Sequence, residues 1–255
     1  GLNKTEVINT IYKQKIYDKE NLRFAFPFNI EKPITRLDIA WSVISPELNQ
    51  IHAANKNYYT VQRWIDVSND NKGITVATID APFFEIGGMK AEQWASSIKN
   101  RWEEHAESSS KLFSWVMNNS WHTNYKAEQE GITTFKYALR PHNKFDYFST
   151  YCFGVEQSQP MITTFSSYSN KAGQLLRLNE NSEIVITSLR QSRDGRGIMV
   201  RLFNPTNHEC ETTIELGNGT ISLWASNGEE ITKRLLDKRI TLAPFEVKTL
   251  KLVFR

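Results

Sequence analysis

Three acidic residues stand beside predicted strands, where their carboxyl groups could take part in acid–base chemistry: Asp66, Asp80 and Glu85. Hydrolysis of a glycosidic bond, for example, uses one carboxyl group as the acid and a second as nucleophile or base. Asp80 precedes Ala81-Pro82, and an acid in front of a proline turn commonly accepts hydrogen bonds from backbone amides. The favoured interpretation is therefore a structural role for each of the three acids.

The histidines show no spacing that is typical of a metal site. The five are His52, His105, His122, His142 and His208. None forms a His-x-His or His-x-x-x-His pair, so the sequence assigns no metal ligand. His208 is expected to be solvated in a turn, and a hydrogen-bonded structural role is favoured for His122. Cys152 has no neighbouring histidine that would activate it, and Cys152 and Cys210 are both expected to be reduced.

Charge and hydropathy argue against two classes of partner. The chain carries 31 basic and 28 acidic residues, for a formal net charge of +3, without a block of like charge. This pattern predicts no nucleic-acid partner. No apolar run approaches the ~18 residues of a membrane span, so no span is predicted. The seven tryptophans suit stacking on sugars, but a tryptophan within a strand is more often a core residue.

The elements that must position these side chains are predicted to be strands joined by turns. A long strand is predicted over residues 58–67, which are rich in β-branched and aromatic residues. Residues 69–73 have turn chemistry, and residues 74–79 return as a second strand. The two strands should form a hairpin.

Two segments depart from the strand pattern. Residues 89–111 place Trp94 and Trp102 at helical spacing, which predicts a short surface helix. Residues 147–155 fit either a helix or a strand. These segments interrupt the sheet but do not suggest a βαβ rhythm, so a parallel nucleotide-binding sheet is not expected.

The C-terminal third shows two hairpin signals. Residues 183–189 should pair with residues 197–203. Residues 212–216 should pair with residues 220–224 across Gly217-Asn218-Gly219, because Asn-Gly is the strongest short hairpin signal. Strands at such short intervals predict a small sandwich of immunoglobulin type.

A polar segment at residues 170–182 predicts a domain boundary. We therefore expect a larger β domain over residues 1–178, truncated at its N-terminus, and a small β-sandwich over residues 179–255. The predicted fold class is all-β, with antiparallel sheets throughout.

An ordered series of segments gives the chain a family resemblance. The segments are Phe24-Ala25-Phe26-Pro27-Phe28, Arg36-Leu37-Asp38-Ile39, Val61-Gln62-Arg63-Trp64-Ile65-Asp66-Val67-Ser68, Asp80-Ala81-Pro82, Trp121-His122-Thr123-Asn124-Tyr125, Tyr137-Ala138-Leu139-Arg140-Pro141-His142, Val200-Arg201-Leu202-Phe203-Asn204-Pro205 and Pro244-Phe245-Glu246-Val247. Each is weak alone, but their order resembles the C-terminal β-sandwich region of bacterial glycoside hydrolase family 38 α-mannosidases.

The resemblance implies both a fold and a missing partner. It implies a large antiparallel supersandwich of the galactose-mutarotase type, followed by a small immunoglobulin-like β-sandwich. In that family, zinc and the nucleophilic aspartate belong to an upstream catalytic domain, whose motifs this chain lacks. No cofactor is therefore expected in this chain, whereas zinc is implied for the upstream domain. The expected partners are that domain, on the same polypeptide, and mannose-containing glycans.

The resemblance also gives candidate residues for the rim of the sugar site. They are Asp80, Trp121, His122, Asn124 and Tyr125. Asparagine and tyrosine offer hydrogen bonds to sugar hydroxyls, and tryptophan offers a stacking face. A polar, aromatic cluster suits a permanent domain interface equally well, and the sequence leaves both roles open.

Two other functions remain open at this stage. A stand-alone carbohydrate-binding module would use exposed aromatic side chains such as Trp94 or Trp121. A mutarotase-like enzyme would need a general acid and base across one sheet face, for which His122 with Asp66 or Asp80 are candidates.

Overall fold

The computed structural model describes residues 3–90, 103–119, 126, 128–165, 173, 175–216 and 221–254. They form two compact units, Gly1–Met161 and Ile162–Arg255. Both units are built from antiparallel sheets, which confirms the prediction of an all-β fold. Among these residues, no helix has the length and apolar character needed to cross a membrane.

The first unit contains ten strands and one helix among its described residues. They are β1 (Thr5–Lys13), β2 (Asn21–Pro27), β3 (Ile34–Ile39), β4 (Ser42–Ile44), β5 (Tyr59–Thr60), β6 (Trp64–Ser68), β7 (Gly73–Thr78), β8 (Phe83–Ile86), β9 (Lys111–Asn118), β10 (Gly131–His142) and α1 (Tyr147–Ser158). A six-stranded sheet has the order β1-β10-β7-β6-β3-β4, and a four-stranded sheet has the order β2-β9-β8-β5.

The two sheets of the first unit pack face to face around one apolar core. Ile65 and Val76 of the six-stranded sheet and Phe84 and Leu112 of the four-stranded sheet belong to this core and are fully buried. Tyr137 joins the sheets because its hydroxyl lies 2.8 Å from that of Ser114. Since side chains alternate along a strand, the neighbouring residues of each strand form the outer faces.

Helix α1 covers part of the outer face of the six-stranded sheet. Asp146 caps its N-terminus, because its Oδ1 accepts a hydrogen bond from the Ser149 amide at 2.6 Å. Phe153 of the helix packs on Ala77 and Ala138 of the sheet. Residues 147–155, which fitted either a helix or a strand, are therefore helical, with Phe153 on the buried side.

The predicted hairpin between residues 58–67 and 74–79 is correct only in its second half. Strand β6 pairs with β7 as expected. Strand β5, however, belongs to the four-stranded sheet, because the chain passes from one sheet to the other between Thr60 and Trp64. The amide of Val61 bonds to the carbonyl of Pro82 at this crossing. The single long strand was wrong, since local alternation does not show which sheet a residue joins.

The predicted surface helix over residues 89–111 finds no support in its described part. Residues 103–110 form an irregular segment, and Lys111 begins β9. Residues 91–102, which include Trp94, lie outside the described residues.

The second unit contains eight strands among its described residues. They are β11 (Leu176–Leu178), β12 (Val185–Gln191), β13 (Gly197–Phe203), β14 (Cys210–Leu216), β15 (Ile221–Ser226), β16 (Arg234–Leu236), β17 (Arg239–Leu242) and β18 (Val247–Phe254). One sheet has the order β12-β13-β18-β15-β16 and the other has the order β11-β14-β17. Val200, Leu250 and Leu252 of the first sheet and Ile214 and Leu242 of the second share one core.

Of the two hairpins predicted in the second unit, one is confirmed and one is wrong. Strands β12 and β13 pair as expected, with an irregularity between Ile186 and Ser188. Strand β14 pairs with β11 and β17, whereas β15 pairs with β16 and β18. The two strands that flank Gly217-Asn218-Gly219 thus lie in opposite sheets. Strands β14 and β15 contribute apolar side chains to the shared core from opposite sheets. The local turn signal carries no information about which sheet a strand joins.

The domain boundary after residue 178 stays a prediction. Strand β11 ends at Leu178 and pairs with β14, so it is part of the second unit's three-stranded sheet. The compact units divide after Met161.

Candidate functional site

A polar network lies on the outer face of the six-stranded sheet, beside helix α1. Asp66 is at its centre, and this carboxylate is fully buried. Its Oδ1 accepts a hydrogen bond from Ser68 Oγ at 2.6 Å, and its Oδ2 accepts one from Thr75 Oγ1 at 2.8 Å. Nη1 of Arg36 lies 3.9 Å from Oδ1. These partners compensate the cost of burying the carboxylate.

His142, the last residue of β10, completes the network. Its Nε2 lies 2.7 Å from Asp66 Oδ2. The ring lies against Gly73, where a Cβ atom would come within 2.4 Å of His142 Cε1. The approach of His142 to Asp66 therefore depends on a glycine at position 73. The other ring nitrogen, Nδ1, is buried and has no hydrogen-bond partner among the described residues.

A surface cleft of about 670 Å³ borders this histidine. Its lining includes Arg140, His142, Lys144 and Asp146. Asp146 is engaged as the helix cap, and the guanidinium of Arg140 contacts Ser149 Oγ at 3.1 Å and lies over the ring of Phe153. The cleft thus combines an imidazole oriented by a carboxylate with two cationic side chains, which is an arrangement suited to anions or to proton transfer.

A second buried acid, Asp38, lies on the same sheet face. Burial raises the pKa of its carboxyl group to about 7, and the positive charge of Arg63 opposes this rise. Arg63 Nη1 is 3.8 Å from Asp38 Oδ2 and its guanidinium stands over the ring of Tyr151. Asp38 could not be recognised as a buried acid from the sequence, since nothing in the sequence shows that its strand face is covered by a helix.

The part of this sheet face away from the helix carries several exposed apolar side chains. We name it the β1–β10 patch, and it consists of Ile8, Tyr12, Ile79 and Ile132. Tyr12 and Ile132 face each other across β1 and β10, with 76% and 69% of their surfaces exposed. Such adjacent exposed apolar side chains are typical of an interaction surface.

Asp80 is the one predicted rim residue that the structure describes. It is exposed, and its Oδ2 accepts a hydrogen bond from the backbone amide of Lys136 at 2.9 Å. Lys136 pairs with Ile8 of the β1–β10 patch, so Asp80 lies next to that patch. The other four residues, Trp121, His122, Asn124 and Tyr125, lie outside the described residues.

The outer face of the four-stranded sheet carries another charge pair among aromatic rings. Glu85, the third candidate acid, is fully buried and accepts a hydrogen bond from Arg23 Nε. The guanidinium of Arg23 stands 5.1 Å from the ring of Trp115, which packs on Phe83. Glu85 thus forms an ion pair with Arg23, which agrees with the structural role that the sequence favoured for it.

The second unit brings together three side chains of the types that bind metal ions. They are Glu183, His208 and Cys210, whose ligand atoms all lie within 4.8 Å of one another. His208 is largely exposed, as expected, but its Nε2 lies 2.8 Å from Glu183 Oε2. Cys210 and Cys152 are both free thiols. Burial raises the pKa of Cys152 to about 11, which supports its exclusion as a nucleophile.

The fold and these sites define a protein of two β-sandwich units that carries ion-paired acids on the outer sheet faces of its first unit. Residues 183–250 match the family model of the glycosyl hydrolases family 38 C-terminal beta sandwich domain. The predicted resemblance to the C-terminal β-sandwich region of a family 38 α-mannosidase is thereby confirmed.

Two solved structures share the fold of almost the whole chain. One is an α-mannosidase from Enterococcus faecalis V583, with 20% sequence identity, a TM-score of 0.72 and coverage of 98% of this chain. The other is a glycosyl hydrolase family 38 protein from Enterococcus faecalis, with the same identity, TM-score and coverage. The chain spans 27% and 28% of the length of these proteins. No curated protein sequence matches the chain.

Proposed function

We propose that this chain is the non-catalytic C-terminal part of a zinc-dependent retaining α-mannosidase. The observation that carries the proposal is the match of residues 183–250 to the family 38 C-terminal sandwich domain. The fold likeness to two family 38 proteins, of which the chain spans about a quarter, supports it further. In this proposal the upstream domain of the same polypeptide holds the zinc ion and performs the hydrolysis of mannose-containing glycans.

The state of the buried acids favours a non-catalytic role. Asp66 is held by three short contacts, and Glu85 accepts hydrogen bonds from Arg23 and from the Lys90 amide. A carboxylate that is fully buried and satisfied in this way cannot approach a glycosidic oxygen without breaking its network. These acids therefore support the sheets rather than the two-carboxylate chemistry of glycoside hydrolysis.

The β1–β10 patch is the surface we assign to the catalytic domain. Helix α1 covers one part of the outer sheet face, and the exposed apolar side chains of Ile8, Tyr12 and Ile132 occupy another. Burial of such side chains against a neighbouring domain would stabilise the assembly. Asp80 lies beside the patch, so it would stand at the edge of that contact.

We also assign residues of this chain to the rim of the sugar site in the catalytic domain. Asp80, Trp121, His122, Asn124 and Tyr125 are the proposed rim residues. Carboxylate, amide and phenol groups hydrogen-bond sugar hydroxyls, and an indole ring stacks on a sugar face.

Hydrolysis of an aryl α-mannoside tests the proposal directly. The chain alone should give no turnover, with or without added Zn²⁺, because in this proposal the upstream domain supplies the catalytic acid and the nucleophile. Addition of the separately produced upstream domain should give zinc-dependent turnover above that of the upstream domain alone. Turnover by the chain alone would contradict the non-catalytic role, and an unchanged rate in the mixture would contradict the rim role.

A mutarotase-like activity is the second candidate, and one observation favours it. His142 is oriented by Asp66 and lines a cleft, as a general base would. Polarimetry of freshly dissolved mannose and galactose, with wild type and His142→Ala, tests this candidate. A rate above the uncatalysed one that the substitution abolishes would support it, and identical rates with and without protein would dismiss it.

A further inference from the structure

We propose that Glu183, His208 and Cys210 form a zinc-binding site in the second unit. Within the described part of the chain, they are a group of three potential ligands whose atoms lie within 4.8 Å of one another. Glu183 precedes β12, His208 lies between β13 and β14, and Cys210 begins β14. The site would therefore link the segment that leads into one sheet of the sandwich to the first residue of a strand in the other sheet.

Two of the three distances between the ligand atoms are close to those of a tetrahedral zinc site, and the third is within 4.8 Å. Zinc bonds of about 2.1 Å to nitrogen and oxygen and 2.3 Å to sulfur place neighbouring ligand atoms about 3.4–3.6 Å apart. Nε2 of His208 and Oε2 of Glu183 are 2.8 Å apart, and Sγ of Cys210 is 3.9 Å from the same oxygen. Side-chain shifts of about half an ångström would bring these two distances into that range.

The backbone that carries His208 and Cys210 is held in place by a buried side chain. Asn204 is fully buried, and its Nδ2 lies 2.7 Å from the carbonyl oxygen of His208 and 3.0 Å from that of Ala243. Its Oδ1 accepts a hydrogen bond from the amide of Thr206 at 3.0 Å. A ligand loop that is fixed in this way loses little conformational freedom when an ion binds.

Thr206 also acts on the sulfur ligand. Its Oγ1 lies 3.3 Å from Cys210 Sγ and 3.1 Å from the carbonyl oxygen of His208. Hydrogen bonds to metal ligands orient them and tune their affinity. The three proposed ligands and the residues that hold them in place thus all belong to the second unit.

The ligand types favour zinc over Mg²⁺ and Ca²⁺. A thiolate, a carboxylate and a neutral imidazole together carry a charge of about −2, which balances one Zn²⁺ ion. A thiolate disfavours Mg²⁺ and Ca²⁺, which require oxygen ligands. The side chain of His208 is 57% exposed, which gives the ion a path from solvent, and a water molecule would supply the fourth ligand.

Metal titration of the full chain tests the proposal, with Co²⁺ as the spectroscopic probe and Zn²⁺ as its competitor. The metal-free chain should bind one equivalent of Co²⁺ with a thiolate charge-transfer band in the near ultraviolet, and Zn²⁺ should displace it. His208→Ala and Cys210→Ser should each weaken binding by more than about tenfold. His208→Ala keeps the test valid if Cys210→Ser fails to fold, because His208 is exposed.

Two matched variants serve as controls. Cys152→Ser removes the other cysteine and His52→Ala removes an exposed histidine, and both should bind Co²⁺ as wild type does. The absence of a thiolate band in wild type would overturn the proposal, and so would equal binding by His208→Ala. The readout is metal binding rather than hydrolysis, so its outcome is independent of the proposed mannosidase function.

Discussion

Nε2 of His142 and Oδ2 of Asp66 lie 2.7 Å apart, although 76 residues separate them in the sequence. The contact crosses β7, the strand between β6 and β10, at Gly73, the residue that pairs with His142. A histidine from one strand therefore reaches an acid two strands away because the intervening strand has no side chain at that position. The network therefore arises because the sheet places these side chains on one face, and not from a sequence motif.

Removal of the Asp66 carboxylate should destabilise the first unit. In Asp66→Ala, the hydroxyls of Ser68 and Thr75 and the His142 ring lose a shared acceptor inside the protein. The free energy of unfolding in urea should fall by about 3 kcal/mol or more. The exposed Asp70 provides the matched control, and Asp70→Ala should change stability by less than about 0.5 kcal/mol. Equal effects of the two substitutions would show that the Asp66 network does not contribute to the free energy of unfolding.

Substitution of Gly73 by alanine should disrupt the contact between His142 and Asp66 by displacing the His142 ring. In Gly73→Ala the new Cβ would lie 2.4 Å from His142 Cε1 and from Ser68 Cβ, so the ring must move. We expect a loss of about 1–3 kcal/mol in urea unfolding. At Gly88 the nearest atom to a Cβ is 3.9 Å away, and Gly88→Ala should be nearly neutral. If Gly73→Ala were as stable as wild type, the close packing of His142 on this strand would be incorrect.

The buried carboxyl group of Asp38 should make stability depend on pH. Its pKa is raised from 3.8 to about 7 by burial, so the folded chain binds a proton more tightly than the unfolded chain. Between about pH 4 and pH 7 the unfolded state therefore holds fewer protons, and the free energy of unfolding falls as pH rises. The fall is complete about one pH unit above the folded-state pKa, where Asp38 is ionised in both states.

The substitution Asp38→Asn removes the titrating group and should flatten this dependence. Urea unfolding at intervals between pH 4.5 and pH 8 measures it, with Asp70→Asn as the exposed control. The difference in stability between Asp38→Asn and wild type should change by about 2–4 kcal/mol across the range. A constant difference across that range would contradict the raised pKa of Asp38.

Local sequence signals predicted strands and turns better than they predicted sheets. The hairpin of β12 and β13 is correct because its strands are neighbours in both sequence and space. The Asn218-Gly219 signal failed because β14 and β15 are neighbours in sequence but belong to opposite sheets of a sandwich. Sheet membership depends on which apolar faces share a core, which is a property of the whole unit.

The sites were less predictable than the fold for a related reason. Asp66 was a candidate acid by its type, but its contact with His142 was not predicted, and only the register of β7 and β10 reveals it. Glu183 likewise meets His208 only through folding. A search for ligand spacing in the sequence could not find the proposed zinc site, because its residues come from separate segments.

The β1–β10 patch gives the proposed domain contact a direct test. Ile132 is exposed in the isolated chain, so Ile132→Lys should leave its thermal unfolding nearly unchanged. A lysine buried against the catalytic domain would lose hydration without gaining a partner, and association with the co-expressed upstream domain should weaken by about tenfold or more. Ile51, which is 83% exposed and lies in the segment between β4 and β5, supplies the control Ile51→Lys. If both variants retained the upstream domain equally in co-purification, the catalytic domain would have to dock on another surface of the first unit.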